Sequence, residues 1–403
     1  MKNIELLAPA GDMNKLRLAI KYGSDAVYFG GKYGLRAGAS LEEPGKRHED
    51  LLEEAVSYAH SQGKKAYVTV NIFARNADFD EIKTYVKLLE EIGVDAVIVS
   101  DLGVLRLVRE NTSLEVHIST QANVINKFTA QEYVNLGANR IILARECSSA
   151  EIKEITDHLK GKCDIEIFVH GAMCVSYSGR CMISNYMTER EANRGECSQP
   201  CRYKYFPADF AAGSIVEEKR PSQHWGIEED VHGTYIMNSK DLCLIHHLND
   251  LISCGVTSFK IEGRMKSDYY VAAAVNTYRQ ALDGKDFDYQ KEIDKIAHRP
   301  WTTGFVFEKN DNLFIEHTNV ISTHEVAAMC LGGQKILQRN VFCEGDELEI
   351  LSPGKNHNMT FNVTSIKDEQ GQIVTRANKA GAVYYIESGS LTLEPDEFLR
   401  KKI

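Results

Sequence analysis

Four of the chain's ten cysteines fall in one stretch, Cys174, Cys181, Cys197 and Cys201, with the spacing C-x6-C-x15-C-x3-C. Clustered thiolates are soft ligands that suit zinc or an iron-sulfur cluster. Structural zinc sites usually take paired cysteines two to four residues apart, and only Cys197 and Cys201 come that close here. A 4Fe-4S cluster, fully ligated by four thiolates, fits the set better; zinc and unliganded thiols are the other two readings. The remaining six cysteines, Cys147, Cys163, Cys243, Cys254, Cys330 and Cys343, are scattered through helix-like or strand-like runs and read as small buried hydrophobes.

A thiol peptidase would need Cys174 as nucleophile and His170 as its base, but thiolates that hold metal are unavailable for attack. The sequence has no His-Glu-x-x-His zinc motif and no Gly-x-Ser-x-Gly elbow with partners.

These residues need a scaffold, and the chain supplies one by alternating short apolar runs with amphipathic stretches. Strands are expected at Glu5–Ala8, Asp25–Phe29, Lys65–Val70, Asp95–Val99, Leu114–Ile118, Asn139–Leu143, Asp164–Val169 and Val256–Ile261. Helices are expected between them, for example over Asp12–Tyr22, His48–Gln62, Asp78–Ile92 and Ala150–Leu159. Eight such units predict a (β/α)8 TIM-type barrel over residues 1–297, with a doubly wound open sheet as the second architecture. The interval after the seventh strand holds a Cys-rich insertion, about residues 171–236, and a helix expected over Lys240–Ser253. From residue 298 to 403, short alternating runs such as Val341–Cys343, Asp346–Leu351, Thr360–Ile366 and Ala382–Ile386 predict a small β-barrel-like domain.

Residues just beyond the C-terminal ends of barrel strands form the mouth where such barrels keep their chemistry. Here those positions include Asn71, Gln121, Arg145, His170 and Arg264, and the four cysteines follow the seventh strand onto the same mouth.

With a formal net charge of -10, the chain does not read as a non-specific coat for nucleic acid. An RNA contact would need a local patch, and the candidate is Arg180, Arg190, Arg194, Arg202 and Lys204, diluted by Glu189, Glu191 and Glu196. No leader-like basic and apolar N-terminus and no bilayer-length apolar run is visible, so a cytoplasmic protein with no membrane partner is expected.

The run Glu166-Ile-Phe168-Val-His-Gly171-Ala172-Met173-Cys174, followed by Gly179-Arg-Cys181-Met-Ile183-Ser184, resembles the signature of the collagenase-like peptidase family, peptidase family U thirty-two. Leu7-Ala-Pro-Ala-Gly11, Asp25-Ala-Val-Tyr28 with Gly30, and Lys260-Ile-Glu-Gly-Arg264 look like further family motifs. The resemblance implies one of two activities: a collagenase-like peptidase, or an oxygen-independent hydroxylase of the ubiquinone ring, of a ribosomal cytidine or of tRNA. Cys174-x6-Cys181 with Gly195-Glu-Cys197-Ser-Gln-Pro-Cys201-Arg-Tyr203 is most similar to the tRNA branch, which converts wobble uridine 34 to 5-hydroxyuridine with prephenate as co-substrate. That branch implies a 4Fe-4S cluster on Cys174, Cys181, Cys197 and Cys201. It also implies a clamp for a small dicarboxylate, for which Arg145, Arg264 and Lys260 are the candidates, since guanidinium forks hold carboxylates bidentately. Strand alternation counts against Lys260, because it can turn that side chain outward. Asn71, His117, Gln121 and His170 are the candidates for positioning the base or moving a proton.

Overall fold

Eight short runs rich in apolar and β-branched residues become eight parallel strands in the computed structural model of the chain. The structure describes residues 4–34, 41, 43, 45–174, 176–188, 190–194, 196–202, 214–217, 220–226, 228–230, 233–235, 239–307, 321–389 and 391–403; for 186–188, 202 and 214–235 the description is of backbone alone. The strands are β1 (Glu5–Pro9), β2 (Ala26–Gly30), β3 (Lys65–Val70), β4 (Ala96–Val99), β5 (Glu115–Ile118), β6 (Arg140–Ile142), β7 (Asp164–Ala172) and β8 (Ser258–Ile261). Each pairs with the next, and β8 pairs with both β7 and β1, so the sheet closes into a barrel and the open-sheet alternative is set aside. All eight sit where the sequence places them.

Helices α1 (Met13–Lys21), α2 (His48–Ser61), α3 (Phe79–Ile92), α4 (Leu102–Asn111), α5 (Lys127–Asn135) and α6 (Ser149–Leu159) follow β1 to β6. Their ends are chemically marked. Asp101 accepts hydrogen bonds from the first-turn amides of Gly103 and Val104, and Ser148 with Glu151 forms a reciprocal capping box on α6. α3 buries Ile82, Tyr85, Val86 and Leu89, one stripe at helical spacing, then stops at Gly93 in the left-handed region (φ 87°).

One expected helix is corrected. Over Lys240–Ser253 only Leu248–Ser253 is α-helical, after a single 3-10 turn. Asp241–Cys243 is instead a strand, antiparallel to the end of β7 and parallel to Trp301–Thr302. Its backbone is used by the sheet, and the buried Asp241 carboxylate accepts from Arg299 Nη2 at 2.6 Å.

The inside of this barrel departs from the branched apolar filling usual for the architecture. Glu5, Tyr67, Arg140, Glu166, Ser258 and Lys260 form one connected set. Glu166, with no exposure, accepts from Lys260 Nζ at 3.1 Å, Arg140 Nη1 at 3.0 Å and Ser258 Oγ at 3.2 Å. Ser258 Oγ also donates to Glu5 at 3.0 Å, Tyr67 donates to Glu5 at 2.7 Å, and Arg140 is paired with Glu5. Burial would raise the pKa of Glu166, but Lys260 and Arg140 outweigh it and hold the carboxyl below its ordinary range. Lys260 therefore faces inward, against the expectation from alternation.

His117 belongs to this interior as well. It is buried edge-on to Tyr67 at 4.7 Å, with its pKa lowered by burial, and does not line the mouth. A candidate for positioning the base or moving a proton, it sits one inward position below Ser119, which does line the mouth.

The chain divides into two compact units, one of Met1–Ile20, Ser24–Met265 and Arg299–Val320, the other of Lys21–Gly23, Lys266–His298 and Ile321–Ile403. This division differs from a boundary at residue 298. The helix Asp268–Leu282 groups with the C-terminal sheet because it is buried along most of its length and packs there: Asn276 donates to the Ser352 carbonyl at 3.3 Å, and the Tyr269 ring lies 5.6 Å from Phe398. The second unit is an eight-stranded antiparallel sheet around Ala328, Ile336, Phe342, Ile350 and Leu399. The expected run Thr360–Ile366 is split into Thr360–Asn362 and Ile366–Lys367. The central strand His324–Gly332 buries four residues in succession, so alternation does not mark it.

Arg400, fully buried in this sheet, lies 2.7 Å from Glu292 and 2.5 Å from Glu349. Burial alone would raise the Glu292 pKa, yet Arg400 holds it down to about 2, while burial pushes His357 down to about 4. Both folded values lie below their unfolded ones. Their contributions to stability are therefore present at neutral pH and are lost as pH falls, His357 from about 6.5 toward 4 and Glu292 from about 4.5 toward 2. We expect amide-exchange protection of Phe398–Lys402 to fall across that whole range, and Glu292→Gln to remove the lower part of the dependence. Arg400→Leu should cost about 3 kcal/mol at pH 7, since it leaves the carboxylates of Glu292 and Glu349 to share Lys295 as their one remaining cation among the described residues.

Candidate active site at the barrel mouth

Beyond the ends of the barrel strands lies a cavity of about 180 Å³ lined by all four cysteines of the C-x6-C-x15-C-x3-C set. Cys174 follows β7 directly. The next cysteine is positioned by a turn that the barrel grips from two sides. Glu146 accepts from the Ser178 amide at 2.7 Å and from its hydroxyl at 3.0 Å. Gly179, at φ 72°, lies against the Gln121 carbonyl so closely that a Cβ would sit 2.1 Å from the oxygen, so only glycine fits. Asn193 donates to the Gly179 carbonyl at 3.1 Å, and Ser198 N donates to Ser184 Oγ at 3.1 Å, which ties the Cys197 segment to the Cys181 segment.

Four thiols lining one cavity are a donor set that a four-iron cluster can use. Among the described residues, no three Cys, His, Asp or Glu side chains are close enough together to hold one metal ion. A mononuclear zinc site needs its sulfurs at ~2.3 Å from one point. A cubane takes one thiolate on each of four irons, so its ligands line a cavity without meeting. Cys174 is exposed and the other three are half-buried.

The other expected residues divide into those that share the cavity and those that do not. Asn71 and Gln121 share it, both buried, with Asn71 Nδ2 donating to Gln121 Oε1 at 2.5 Å. That bond fixes the Gln121 amide and leaves its Nε2 as a buried donor without a hydrogen-bond partner among the described residues. Arg145 also lines the cavity, its guanidinium stacked 4.0 Å over the Phe168 ring and donating to the Ala172 carbonyl at 2.5 Å. Glu262 lies 3.9 Å from it, and Arg145 Nε is buried with no hydrogen-bond partner among the described residues. Arg264 lines the same wall, 5.7 Å over Tyr28. Lys260 reaches the cavity floor, already committed to Glu166 and 4.1 Å over the Tyr28 ring.

His170 is not among the cavity's lining residues. A register shift between Lys260 and Ile261 breaks the inward alternation of β7, and the fully buried His170 ring lies 5.2 Å from Trp301 instead. The Cys174–His170 pairing that a thiol peptidase needs is thus not presented to the cavity. In the basic patch, Arg194 is engaged by Asp78 at 2.6 and 3.2 Å and by the Phe73 carbonyl at 3.1 Å, so it anchors the insertion to the start of α3. Arg190 is exposed, the description of Arg202 covers only its backbone, and Lys204 lies outside the described residues. Ser178 and Phe168 matter here without having been given a role from sequence, and only the inward alternation of β7 points to Phe168; Glu146, which follows the sixth strand at the mouth, was expected as a rim ion-pair partner for the arginines and instead holds Ser178. Among the described residues, no helix is long and apolar enough to cross a membrane.

Comparison with known proteins agrees with this layout. Residues 11–315 match the model of Peptidase family U32, and residues 324–400 match that of the Peptidase family U32 C-terminal domain. The chain is 39% identical to tRNA hydroxylation protein P1 of Bacillus subtilis (strain 168), over 92% of this chain and 88% of that protein. It is 37% identical to tRNA hydroxylation protein P of Escherichia coli (strain K12), over 89% and 88% respectively. A 23S rRNA 5-hydroxycytidine synthase of the same strain is 38% identical over 70% of this chain and 39% of its own length. With both the barrel and the C-terminal sheet matched, the chain belongs to peptidase family U32.

Proposed function

We propose that this chain is an enzyme that hydroxylates RNA, and that its reaction is conversion of wobble uridine 34 of tRNA to 5-hydroxyuridine with prephenate as co-substrate. The observation that carries the reading is one cavity lined by four cysteines, two arginines and a fixed amide pair. Relatives named for tRNA and rRNA hydroxylation, matched over most of this chain, support the RNA substrate.

Cys174, Cys181, Cys197 and Cys201 would hold a 4Fe-4S cluster, which supplies electron-transfer or Lewis-acid chemistry at the cavity when bound. The side chains around it have roles their geometry supports. Four thiolates make the site anionic, and a dicarboxylate can enter only where cations offset them. Arg145, held flat on Phe168, and Arg264, beside Tyr28, supply those cations from the connections that follow the two strands flanking β7. Gln121 Nε2, oriented by Asn71, is a donor suited to a carbonyl oxygen of the uracil ring. Lys260 is less suited to clamping a carboxylate, because Glu166 already holds it. For the tRNA backbone, Arg190, Arg202 and Lys204 remain the candidates and Arg194 becomes an anchor.

Protein purified without oxygen should be brown and carry about four irons per chain, and each Cys→Ser change should lower that content. Stoichiometric zinc without acid-labile sulfide would overturn the cluster. Deleting the gene should remove 5-hydroxyuridine-derived nucleosides from tRNA, read by mass spectrometry; tRNA with an unchanged nucleoside profile would overturn the substrate. Arg145→Leu and Arg264→Leu should each cut hydroxylation by roughly two orders of magnitude while iron content and melting temperature hold, with lysine a poor replacement. If these arginines only make rim ion pairs, the loss will appear in melting temperature instead.

A further inference from the structure

The ionisable groups inside the barrel form an unbroken route from the cavity to the opposite, N-terminal end of the strands. Lys260, on the cavity floor, is 3.1 Å from Glu166 Oε1. Glu166 Oε2 is 3.2 Å from Ser258 Oγ, and the same hydroxyl is 3.0 Å from Glu5 Oε1. Glu5 opens β1, and its side chain is 14% exposed, so the last member of the series meets solvent. Each step is within hydrogen-bond reach, and each group can both give and take a proton in one of its states.

We propose that Lys260 delivers a proton to an anion formed in the cavity and is refilled from solvent through Glu166, Ser258 and Glu5. The proposal deepens the hydroxylase reading and rests on it: a tRNA base and a dicarboxylate filling the mouth would exclude water there, so protons must arrive from behind. The step balances. The cavity anion gains a proton and Lys260 becomes a neutral amine; Glu5 takes a proton from water, and the shift through Ser258 and Glu166 restores the ammonium. Two cations, Lys260 and Arg140, face two carboxylates, Glu166 and Glu5, so the resting chain is neutral and Lys260 is poised as donor.

The surroundings favour that role. Lys260 is faced by Glu166 and the Phe168 ring of β7, the ring that also carries Arg145, and by Tyr28 of β2, with Glu262 and Arg264 beyond the end of β8. Farther down, Glu166 and Glu5 share Arg140, beside which lie Tyr67, His117 and, at 3.8 Å, Asp164. Burial lowers the Lys260 pKa, which makes its proton easier to release. Glu166 is held as a carboxylate by Lys260 and Arg140, so it carries the proton only in passing.

Lys260→Arg separates proton delivery from charge, because arginine keeps the cation and the Glu166 pair yet does not release a proton. In anaerobically loaded enzyme we expect kcat for tRNA hydroxylation to fall roughly a hundredfold with KM and iron content unchanged. Ser258→Ala removes the relay without altering charge; kcat should fall roughly tenfold with a larger solvent deuterium isotope effect, and Ser258→Thr should restore both. Wild-type turnover in Lys260→Arg, or a wild-type rate and isotope effect in Ser258→Ala, would overturn the proposal. A wild-type enzyme that hydroxylates no RNA would overturn the functional reading instead. The relay then still faces a test without substrate: the Lys260 Nζ resonance in 15N-lysine protein should titrate below the ordinary lysine range, and an ammonium that persists through that range sinks it.

Discussion

Glu166 sits at zero exposure in β7 and accepts from Lys260, Arg140 and Ser258, three side chains on the two strands that flank it. Removing one member of a buried charge set costs about 3–5 kcal/mol, because the others are left in a low-dielectric interior without compensation. The barrel is therefore filled by a set that must be complete. The arrangement also fixes the cavity floor, since Lys260 cannot swing toward a ligand without abandoning Glu166. Polar filling makes the inside of this barrel a continuation of its mouth.

The mouth has the opposite problem. Its thiols come from a long insertion, and loops hold precise geometry only when their backbone polar groups are satisfied by a rigid neighbour. Glu146 on Ser178, the Gly179 approach to Gln121 and Arg194 on Asp78 supply those contacts from three different βα connections. An arginine that looks like part of an RNA-binding patch is thus used to hold the cysteine segment. The proposed RNA contact then falls to other cations, on a chain with a net charge of -10. An exposed cation such as Arg190 suits that contact, because phosphate recognition depends on local potential more than on total charge.

The comparisons and the geometry bear on different questions. Membership of peptidase family U32 carries a peptidase name, yet the cavity does not present the Cys174–His170 pair that such chemistry would use here. The two relatives named for tRNA hydroxylation are matched over 92% and 89% of this chain. Fold alone decides neither activity, since barrels of this kind host many chemistries; the side chains at the mouth do.

Local patterns in the sequence determined a great deal. All eight barrel strands, α3 with its stripe and capping glycine, and the four cysteines were legible, because apolar periodicity and thiol spacing are properties of neighbouring residues. Asn71, Gln121, Arg145 and Arg264 were legible too, as residues that follow strand ends in a barrel. Tertiary structure alone decided the rest. Asp241–Cys243 became a strand because β7, some 70 residues earlier, offers it a partner edge, and long-range pairing overrides local helical preference. A register shift between Lys260 and Ile261 took His170 away from the cavity, and a carboxylate on the next strand drew Lys260 inward. The pairing of Arg194 with Asp78 joins residues 116 positions apart, a partner choice that no local pattern encodes. In each case the deciding interaction lies between segments distant in sequence that only the tertiary fold brings together.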